Sequence, residues 1–405
     1  MGVPRGLRPY WKQAMFNIRI YNSIANEGLA RLPAERFKAP SGSDSPDGIL
    51  LRSHDLHSET IPDSVEVVAR AGAGVNNIPV DALAKRGIPV LNAPGANANA
   101  VKELVVAGML MAARNLLSAW DHLRAMDLPA DELRKTVEAH KKRFAGRELA
   151  GRVMGVVGLG AVGVKVANAA IGMGMKVFGY DRALALDRAW ELSSQVGKGQ
   201  SLEHVFAGAD FVSVHVPLVD ETRGLVGGKL ISSMRKGGVL LNFARGGIVE
   251  SGAVLDALDS GWLSAYVCDF PEPELMGHPG AILLPHLGAS TSEAEVNCAV
   301  IAAENLRAYL EDGNVRGSVN FPVIDQPRGG GFRLTIANEN VPWIVARVSA
   351  VLAQENLNIE SMMNMSRGRL AYTMLDLNDQ APDPVLKRLR GMEGILRVRD
   401  LGARS

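Results

Sequence analysis

Arg245, His286 and a nearby carboxylate are the side chains in this sequence whose types and positions best fit acid–base chemistry. Arg245 stands in Asn-Phe-Ala-Arg-Gly-Gly after one strand-like run, and His286 stands in Leu-Pro-His-Leu-Gly after another. A guanidinium there can grip a carboxylate and polarise an adjacent carbonyl, and an imidazole can exchange a proton near neutral pH. A glutamate of the segment Asp269-Phe-Pro-Glu272-Pro-Glu274 could orient the imidazole.

A glycine motif indicates the second reactant. The apolar run Val153–Val157 leads into Gly158-x-Gly160-x-x-Gly163, and Asp181 ends the next strand-like run. The first glycine permits a tight turn, the second lets a pyrophosphate approach the backbone, and the third lets the helix pack closely on the strand. Asp181 would accept hydrogen bonds from a ribose 2′-hydroxyl and repel a 2′-phosphate. The motif therefore predicts NAD as the cofactor.

Alternating strand-like and helical segments must position these residues. They predict an α/β fold with two doubly wound parallel sheets, whose carboxyl ends carry the site. The expected strands of the first sheet are Asn17–Tyr21, Gly48–Arg52, Glu66–Ala71 and Pro89–Leu91. Those of the second are Val153–Val157, Lys176–Tyr180, Phe211–Val216, Val239–Phe243, Ala265–Asp269 and Ile282–Leu284. A long apolar helix, Ala98–Asn115, is expected to be buried between domains or at a dimer contact.

The last part of the chain has a different pattern. After a Pro- and Gly-rich stretch, the order strand, helix, strand, strand, helix, strand predicts a ferredoxin-like module. No cluster of reactive side chains stands in it, which favours a binding or regulatory role over catalysis. The predicted division is residues 1–97 with 288–322 as the substrate-binding domain, 98–287 as the dinucleotide-binding domain, 323–331 as a linker and 332–405 as the module.

Composition excludes several classes of protein. The chain has 405 residues, of which 47% are hydrophobic and 21% charged, and its net charge is +1. Without a basic run interleaved with aromatic residues, nucleic acid is not the expected partner. The longest apolar stretch, Leu104–Ala113, is too short to cross a bilayer. The two cysteines, Cys268 and Cys298, favour a reducing cytoplasm, no spacing suggests a metal site, and residues 1–14 are expected to be an extension or an upstream start.

Taken together, the motifs identify the chain as resembling the D-isomer-specific 2-hydroxyacid dehydrogenases over roughly residues 16–322. Within that family it is most similar to members that oxidise 3-phospho-D-glycerate and carry a C-terminal ACT domain. The residues that carry the resemblance are Leu51-Arg-Ser53, Ala71-Gly-Ala-Gly-Val-Asn-Asn77, Asn92-Ala-Pro-Gly-Ala-Asn97, Asn242-Phe-Ala-Arg-Gly-Gly247 and Pro285-His-Leu-Gly-Ala-Ser-Thr-x-Glu-Ala-Glu295.

The resemblance implies a role for each site residue. His286 would take the hydroxyl proton, Arg245 would hold the carboxylate, and a glutamate would support His286, giving 3-phosphohydroxypyruvate on the way to serine. The implied substrate contacts are Arg52, Ser53, Gly74, Val75 and Asn97. The implied cofactor contacts are Gly158, Gly160, Ala161, Val162, Gly163, Asp181, Val216, Pro217, Thr222, Ala244, Asp269 and Gly288.

Three departures from the family pattern leave alternatives open. Counting residues from Arg245 favours Glu274 as the supporting acid, whereas the family's Glu-Pro pair favours Glu272, and we choose Glu274. The usual arginine near Asn97 is missing, so Lys141, Lys142 and Arg143 are either part of a phosphate grip or a solvated helix end. In the module, Trp343 replaces an expected glycine, although Asn340 and Asn358 could still bind an amino-acid effector across a dimer interface.

Other functions remain open at this point. One alternative is a hydroxypyruvate or glyoxylate reductase of the same family, and another is a non-catalytic binding protein that senses NAD. A homodimer or homotetramer is expected in each case.

Overall fold

Three sheets form the framework of the protein. The computed structural model describes residues 15–403, so the segment expected to be an extension, 1–14, lies outside the described residues. The chain divides into two compact units, one made of Asn97–Ala294 and the other of the residues up to Ala96 together with those from Glu295 onward. Two of the sheets are parallel and the third is antiparallel, which confirms the predicted fold class.

The first sheet is parallel throughout, in the order β2-β1-β3-β4-β5. Its strands and short helices are β1 Phe16–Tyr21, α1 Asn26–Leu29, β2 Phe37–Lys38, β3 Gly48–Leu51, β4 Val67–Arg70, α2 Val80–Lys85 and β5 Val90–Leu91. All four residues of β3 are buried, as expected for a strand covered on both faces. Strand β2 was not predicted, because two residues give no periodic pattern.

The second sheet is also parallel, in the order β12-β11-β10-β9-β6-β7-β8. Its elements are α3 Ala98–Ala113, α4 Leu116–Arg124, α5 Ala130–His140, β6 Val153–Val157, α6 Ala161–Gly172, β7 Lys176–Tyr180, α7 Leu186–Glu191, β8 Gly197–Lys198, α8 Leu202–Phe206, β9 Phe211–Val214, α9 Gly228–Ser233, β10 Gly238–Asn242, α10 Ser251–Asp259, β11 Leu263–Cys268 and β12 Ala281–Leu283. The order of strands reverses at β6, and ligands of such sheets bind at the carboxyl ends beside that point.

The helices before β6 differ from the prediction. The long apolar helix ends at Ala113, because Asn115 adopts a left-handed backbone conformation with φ of 49°. Helices α4 and α5 follow, and neither has a buried residue. The sequence analysis did not predict them, because it relied on apolar patterns of buried helices. Four large apolar side chains of α4 stay exposed: Leu116, Leu117, Trp120 and Leu123.

The remaining elements belong to the unit of the first sheet, except for residues 292–294. They are α11 Ser292–Asp312, β13 Phe332–Glu339, α12 Ile344–Gln354, β14 Ile359–Arg367, β15 Leu370–Leu377, α13 Asp383–Arg390 and β16 Ile395–Ala403. Strands β13 to β16 form an antiparallel sheet in the order β14-β15-β13-β16, which is the predicted ferredoxin-like arrangement. Helices α12 and α13 contribute Val348, Leu352, Leu386 and Leu389 to its core.

Buried contacts join the module to the first sheet's part of the unit. Tyr372 is 1% exposed, belongs to the core cluster of the first sheet, and donates a hydrogen bond to the Gly313 carbonyl at 3.0 Å. Arg399 donates to the Glu66 carboxylate at 2.7 Å and to the Tyr309 carbonyl at 2.8 Å. The module and the first sheet therefore form one compact unit, and the boundary at residue 332 stays a prediction.

Arg333 fixes the segment that leads into the module. Its side chain is fully buried, and Nε and Nη2 donate to the two oxygens of Asp376 at 2.7 and 2.9 Å. The remaining donors reach the carbonyls of Asp312, Gln326 and Pro327 at 3.0 to 3.1 Å. A buried charge is tolerated only with such complete pairing.

We expect Arg333→Met to destabilise the fold by about 3–5 kcal/mol, because Asp376 would be left buried without its cationic partner. Chemical denaturation would measure the loss, with the exposed Arg390→Met as the matched control. Adding Asp376→Leu to Arg333→Met should recover much of the stability. Equal stability of the Arg333 and Arg390 variants would contradict the role assigned to this ion pair.

Candidate functional site

In the turn after β6, two of the three glycines occupy positions that a side chain would disturb. Gly158 has a φ of 89°, which favours glycine, and a Cβ there would lie 2.8 Å from the His215 backbone. A Cβ on Gly163 would overlap the Gly158 carbonyl, whereas one on Gly160 would meet nothing within 4 Å. The open side of Gly160, at the uncapped start of α6, fits the pyrophosphate of a dinucleotide.

Asp181 lies beside that turn. Its Oδ2 accepts a hydrogen bond from the Leu159 amide at 2.7 Å, and its Oδ1 accepts one from the Ala183 amide at 2.8 Å. A carboxylate offers about four acceptor positions, so each oxygen retains capacity for a ribose hydroxyl. The structure thus joins Asp181 to the glycine turn, which contains Gly160 and Ala161, through the Leu159 amide, and its contact with a ribose stays a prediction.

The loop after β9 is held by its own side chains. Thr222 donates its hydroxyl hydrogen to the Pro217 carbonyl at 2.6 Å and accepts a hydrogen bond from the Val219 amide at 2.9 Å. His215 shares a 2.8 Å hydrogen bond with Ser213, and burial lowers the pKa of His215 to about 3. His215 is therefore neutral at physiological pH and does not exchange protons there.

Asn242 shapes the turn that carries Arg245. Its side chain is 1% exposed, and Nδ2 donates to the Arg245 carbonyl at 2.8 Å while Oδ1 accepts from the Ala244 amide at 3.2 Å. Arg245 is exposed as a residue, and one guanidinium nitrogen donates to the Ala244 carbonyl at 2.7 Å. Partial burial of the guanidinium lowers the pKa of Arg245. A guanidinium on a fixed backbone suits the binding of a carboxylate.

His286 occupies a left-handed turn that Asp269 holds in place. The φ of His286 is 56°, a conformation that costs an L-residue about 1–2 kcal/mol. The two oxygens of Asp269 accept the Leu287 and Gly288 amides, each at 2.7 Å. Burial raises the pKa of Asp269, and these two amides oppose that rise. The clamp leaves the imidazole exposed at the carboxyl end of the sheet.

Phe270 brings the two predicted catalytic side chains together. Its ring centroid lies 4.6 Å from that of His286, and the Arg245 Cζ lies 5.8 Å from the Phe270 centroid. The sequence analysis missed this residue, although its position directly after Asp269 was a signal. An aromatic ring in contact with both groups can limit their motion.

Neither candidate glutamate forms a hydrogen bond with His286 among residues 15–403. Glu272 instead lies 3.4 Å from the Gly247 amide, on the turn of Arg245. Glu274 is exposed in the short 3₁₀ turn Pro273–Leu275. The choice of Glu274 as supporting acid stays a prediction.

The predicted substrate contacts in the first unit surround Arg70. This side chain donates to the Arg52 carbonyl at 2.9 Å and also to the Gly74 carbonyl. The Arg52 side chain pairs with Glu295 at 2.6 Å, and the Ser53 amide donates to Asn22 at 3.0 Å. Arg70 and Glu295 were not predicted, because only the fold brings them next to Arg52.

The remaining predicted contacts are distributed over both units. Asn97 stands at the start of α3, in the second unit. Lys141, Lys142 and Arg143 form an exposed 3₁₀ turn after α5, where Lys141 pairs with Glu138. Val75 follows Gly74 in the chain, and Val162 is the second residue of α6. Val216 lies 3.0 Å from the position that a Cβ on Gly158 would take.

Asn340 and Asn358 lie at opposite ends of the antiparallel sheet. Asn340 follows β13 and donates to the Gly368 carbonyl at 3.1 Å, whereas the Asn358 amide donates to Asn378 at 2.9 Å. One chain therefore does not bring the two predicted effector residues together. Beside Asn340, an open pocket of about 580 Å³ is lined by Glu339, Val341, Pro342, Trp343, Arg347, Glu393 and Gly394.

Residues 15–403 contain neither a metal-binding cluster nor a helix suited to a bilayer. Within residues 15–403, no group of three or more metal-binding side chains occurs. No helix in that range has the length and apolar character needed to traverse a bilayer.

Comparison with known proteins adds a family likeness. Residues 106–288 match the model of the D-isomer specific 2-hydroxyacid dehydrogenase, NAD binding domain. The chain is 31% identical over 374 residues to D-3-phosphoglycerate dehydrogenase of Escherichia coli K12, covering 87% of this chain and 86% of that one. It is 35% identical over 293 residues to the same enzyme of Methanocaldococcus jannaschii, covering 70% and 53%. The structure of a glyoxylate reductase from Paecilomyes thermophila aligns with a TM-score of 0.62 and 26% identity, covering 76% and 98%.

We expect Asp269→Asn to loosen the turn at His286, because an amide oxygen can accept only one of the two clamped N–H groups well. The local stability should fall by about 1–3 kcal/mol. Hydrogen exchange at Leu287 and Gly288 should therefore accelerate by about tenfold or more, measured against Asp259→Asn as a surface control. Unchanged protection of both amides would show that Asp269 does not hold the turn.

Proposed function

The chain belongs to the D-isomer-specific 2-hydroxyacid dehydrogenase family, and on that premise we propose that it oxidises 3-phospho-D-glycerate to 3-phosphohydroxypyruvate with NAD. The observation that carries the proposal is the joint contact of Phe270 with His286 and Arg245, in the unit that also contains the glycine turn. The names of its relatives in bacteria and archaea support this substrate.

Each side chain has a definite task in the proposed reaction. The imidazole of His286 accepts the proton of the C2 hydroxyl, and Arg245 pairs with the substrate carboxylate and stabilises the developing C2 carbonyl oxygen. When bound against the turn at Gly160, NAD supplies the acceptor for the hydride that leaves C2. Asp269 keeps the imidazole in place through its clamp on the following two amides, and Phe270 restricts its rotation.

By the family resemblance, residues of the first unit would contact the phosphate of the substrate. Arg52 supplies a guanidinium that could pair with a phosphate, and Arg70 holds the backbone beside it by donating to the carbonyls of Arg52 and Gly74. The pairing of Arg52 with Glu295 favours a second candidate, reduction of glyoxylate or hydroxypyruvate, because a neutralised arginine suits a substrate without a phosphate.

We infer that the protein works as an oligomer. Leu116, Leu117, Trp120 and Leu123 form an exposed apolar stripe on α4, which a second copy of the chain would cover. If the module is an ACT domain, an amino-acid effector would need Asn340 of one copy and Asn358 of another. Light scattering would test this, since a mass of one chain at assay concentration would exclude it.

The cytoplasm remains the proposed location, supported by the free thiols of Cys268 and Cys298. Cell fractionation would test it, and recovery outside the cytoplasm would reject it.

The substrate is tested by following NADH formation. We expect kcat/KM for 3-phospho-D-glycerate to exceed that for D-glycerate by about 10²-fold or more, since a phosphate site rejects a ligand without the group. His286→Ala should lower kcat by about 10²-fold or more, because it removes the positioned base. Equal use of both acids would favour the reductase, and NADH binding without turnover would favour a non-catalytic NAD sensor.

Asp181 should determine the choice of cofactor. Asp181→Ala and Asp181→Asn both remove the charge that repels a 2′-phosphate, and Asn still accepts a hydrogen bond. We expect the ratio of kcat/KM with NAD to kcat/KM with NADP to fall about tenfold or more in both variants. Asp187→Ala, an exposed acid on α7, is the control. A ratio equal to that of the control would place the ribose elsewhere.

A further inference from the structure

Arg52 already has an anionic partner. It follows β3 at the carboxyl edge of the first sheet, and its Nη2 lies 2.6 Å from Oε1 of Glu295 in the first turn of α11. Their side chains are 38% and 43% exposed, so the pair remains open to solvent and to a ligand. Both residues belong to the same compact unit.

The backbone of Arg52 is fixed independently of this pair. Its carbonyl accepts hydrogen bonds from Nε of Arg70 at 2.9 Å and from Asn77 at 3.4 Å. Arg70 is also bonded to the Gly74 carbonyl. Glu295 is therefore not required to hold the loop, and its effect falls on the guanidinium.

Glu295 lies close to the start of α11. The hydroxyl of Thr291 accepts the Ala294 amide at 3.1 Å and caps this end of the helix. Glu295 follows in the first turn, which fixes its backbone while its carboxylate pairs with Arg52.

A ligand anion must compete with that carboxylate. The fork of Arg52 that would grip a phosphate includes Nη2, the atom that Glu295 engages. A phosphate carrying up to two negative charges would also lie within a few ångströms of Glu295, where like charges repel appreciably even near solvent. A substrate end without charge would not meet this repulsion.

We infer that Glu295 is an internal competitor for the anionic end of the substrate: it occupies Arg52 in the free protein and gives way when that group binds. The inference rests on the proposed function, in which Arg52 contacts the substrate. Glu295 thereby weakens the binding of phosphorylated acids relative to unphosphorylated ones and acts as a specificity-determining residue.

The test uses Glu295→Gln in the full chain, because glutamine keeps the size and a hydrogen-bond acceptor but removes the charge. We expect KM for 3-phospho-D-glycerate to fall by about three- to tenfold, with the change in KM rather than kcat, and KM for D-glycerate to change by less than about twofold. Glu293→Gln is the matched control, since Glu293 stands in the same turn and forms no ion pair among the described residues.

Three results would overturn the inference. A higher KM for the phosphorylated acid in Glu295→Gln would mean that Glu295 positions Arg52 instead of competing for it. Equal changes of KM in the Glu295 and Glu293 variants would mean that the effect comes from the total charge of this region and not from competition for Arg52. If the fall in KM caused by Glu295→Gln persists when Arg52→Gln is added, then Arg52 is not the group for which Glu295 and the substrate compete.

A binding measurement separates this inference from the proposed reaction. Titration calorimetry with inorganic phosphate needs no turnover, and Glu295→Gln should bind phosphate about three- to tenfold more tightly than the unaltered protein. If 3-phospho-D-glycerate is not oxidised but this difference appears, the proposed reaction fails and the competition stands. If oxidation occurs but phosphate affinity is unchanged, the competition fails alone.

Discussion

The clamp of Asp269 on the amides of Leu287 and Gly288 is the interaction on which the candidate site depends. It stabilises a left-handed backbone at His286, which a non-glycine residue would otherwise avoid. Without this turn, the imidazole would not meet Phe270, and Phe270 would not link it to Arg245. Asp269 is a buried carboxylate whose two oxygens accept hydrogen bonds from backbone amides. By fixing the turn, it holds the exposed imidazole of His286 in position.

The glycine turn follows the same principle of a rigid backbone beneath an open surface. Asp181 reaches back to the Leu159 amide, so the strand end of β7 and the turn after β6 are tied together. Gly163 lets α6 pack closely against the turn, while Gly160 leaves room on the outer side. Both halves of the site thus use an aspartate to fix a turn and leave the adjacent groups free to contact a ligand.

Apolar strands and glycine motifs were predictable from the sequence because their patterns are local. The strands β6, β7 and β10 and the module's order of elements followed from such patterns. The expectation that Arg245 and His286 lie near each other came instead from the rule that ligands bind at the carboxyl ends of parallel strands. The two-residue strands β2 and β8 carried too little pattern, and α4 and α5 were missed because they bury no side chain.

Contacts made by distant parts of the chain could not be predicted in this way. Glu295 and Arg52 are separated by 243 residues, and the sequence around each one contains no pattern that predicts their pairing. The acid expected to support His286 depended on the path of the short loop after Asp269, which residue counting does not determine. There the structure places Glu272 on the turn of Arg245 and leaves Phe270 against the imidazole.

Arg399 gives the attachment of the C-terminal module an evolutionary consequence. Its guanidinium donates hydrogen bonds to Glu66, just before β4, and to the carbonyls of Tyr309 and Leu310 at the end of α11. Recombination that exchanged the module alone could remove the arginine, and Glu66 and the two carbonyls would then lose their hydrogen-bond donor. The two parts are therefore expected to be inherited together, with substitutions on one face accompanied by compensating substitutions on the other.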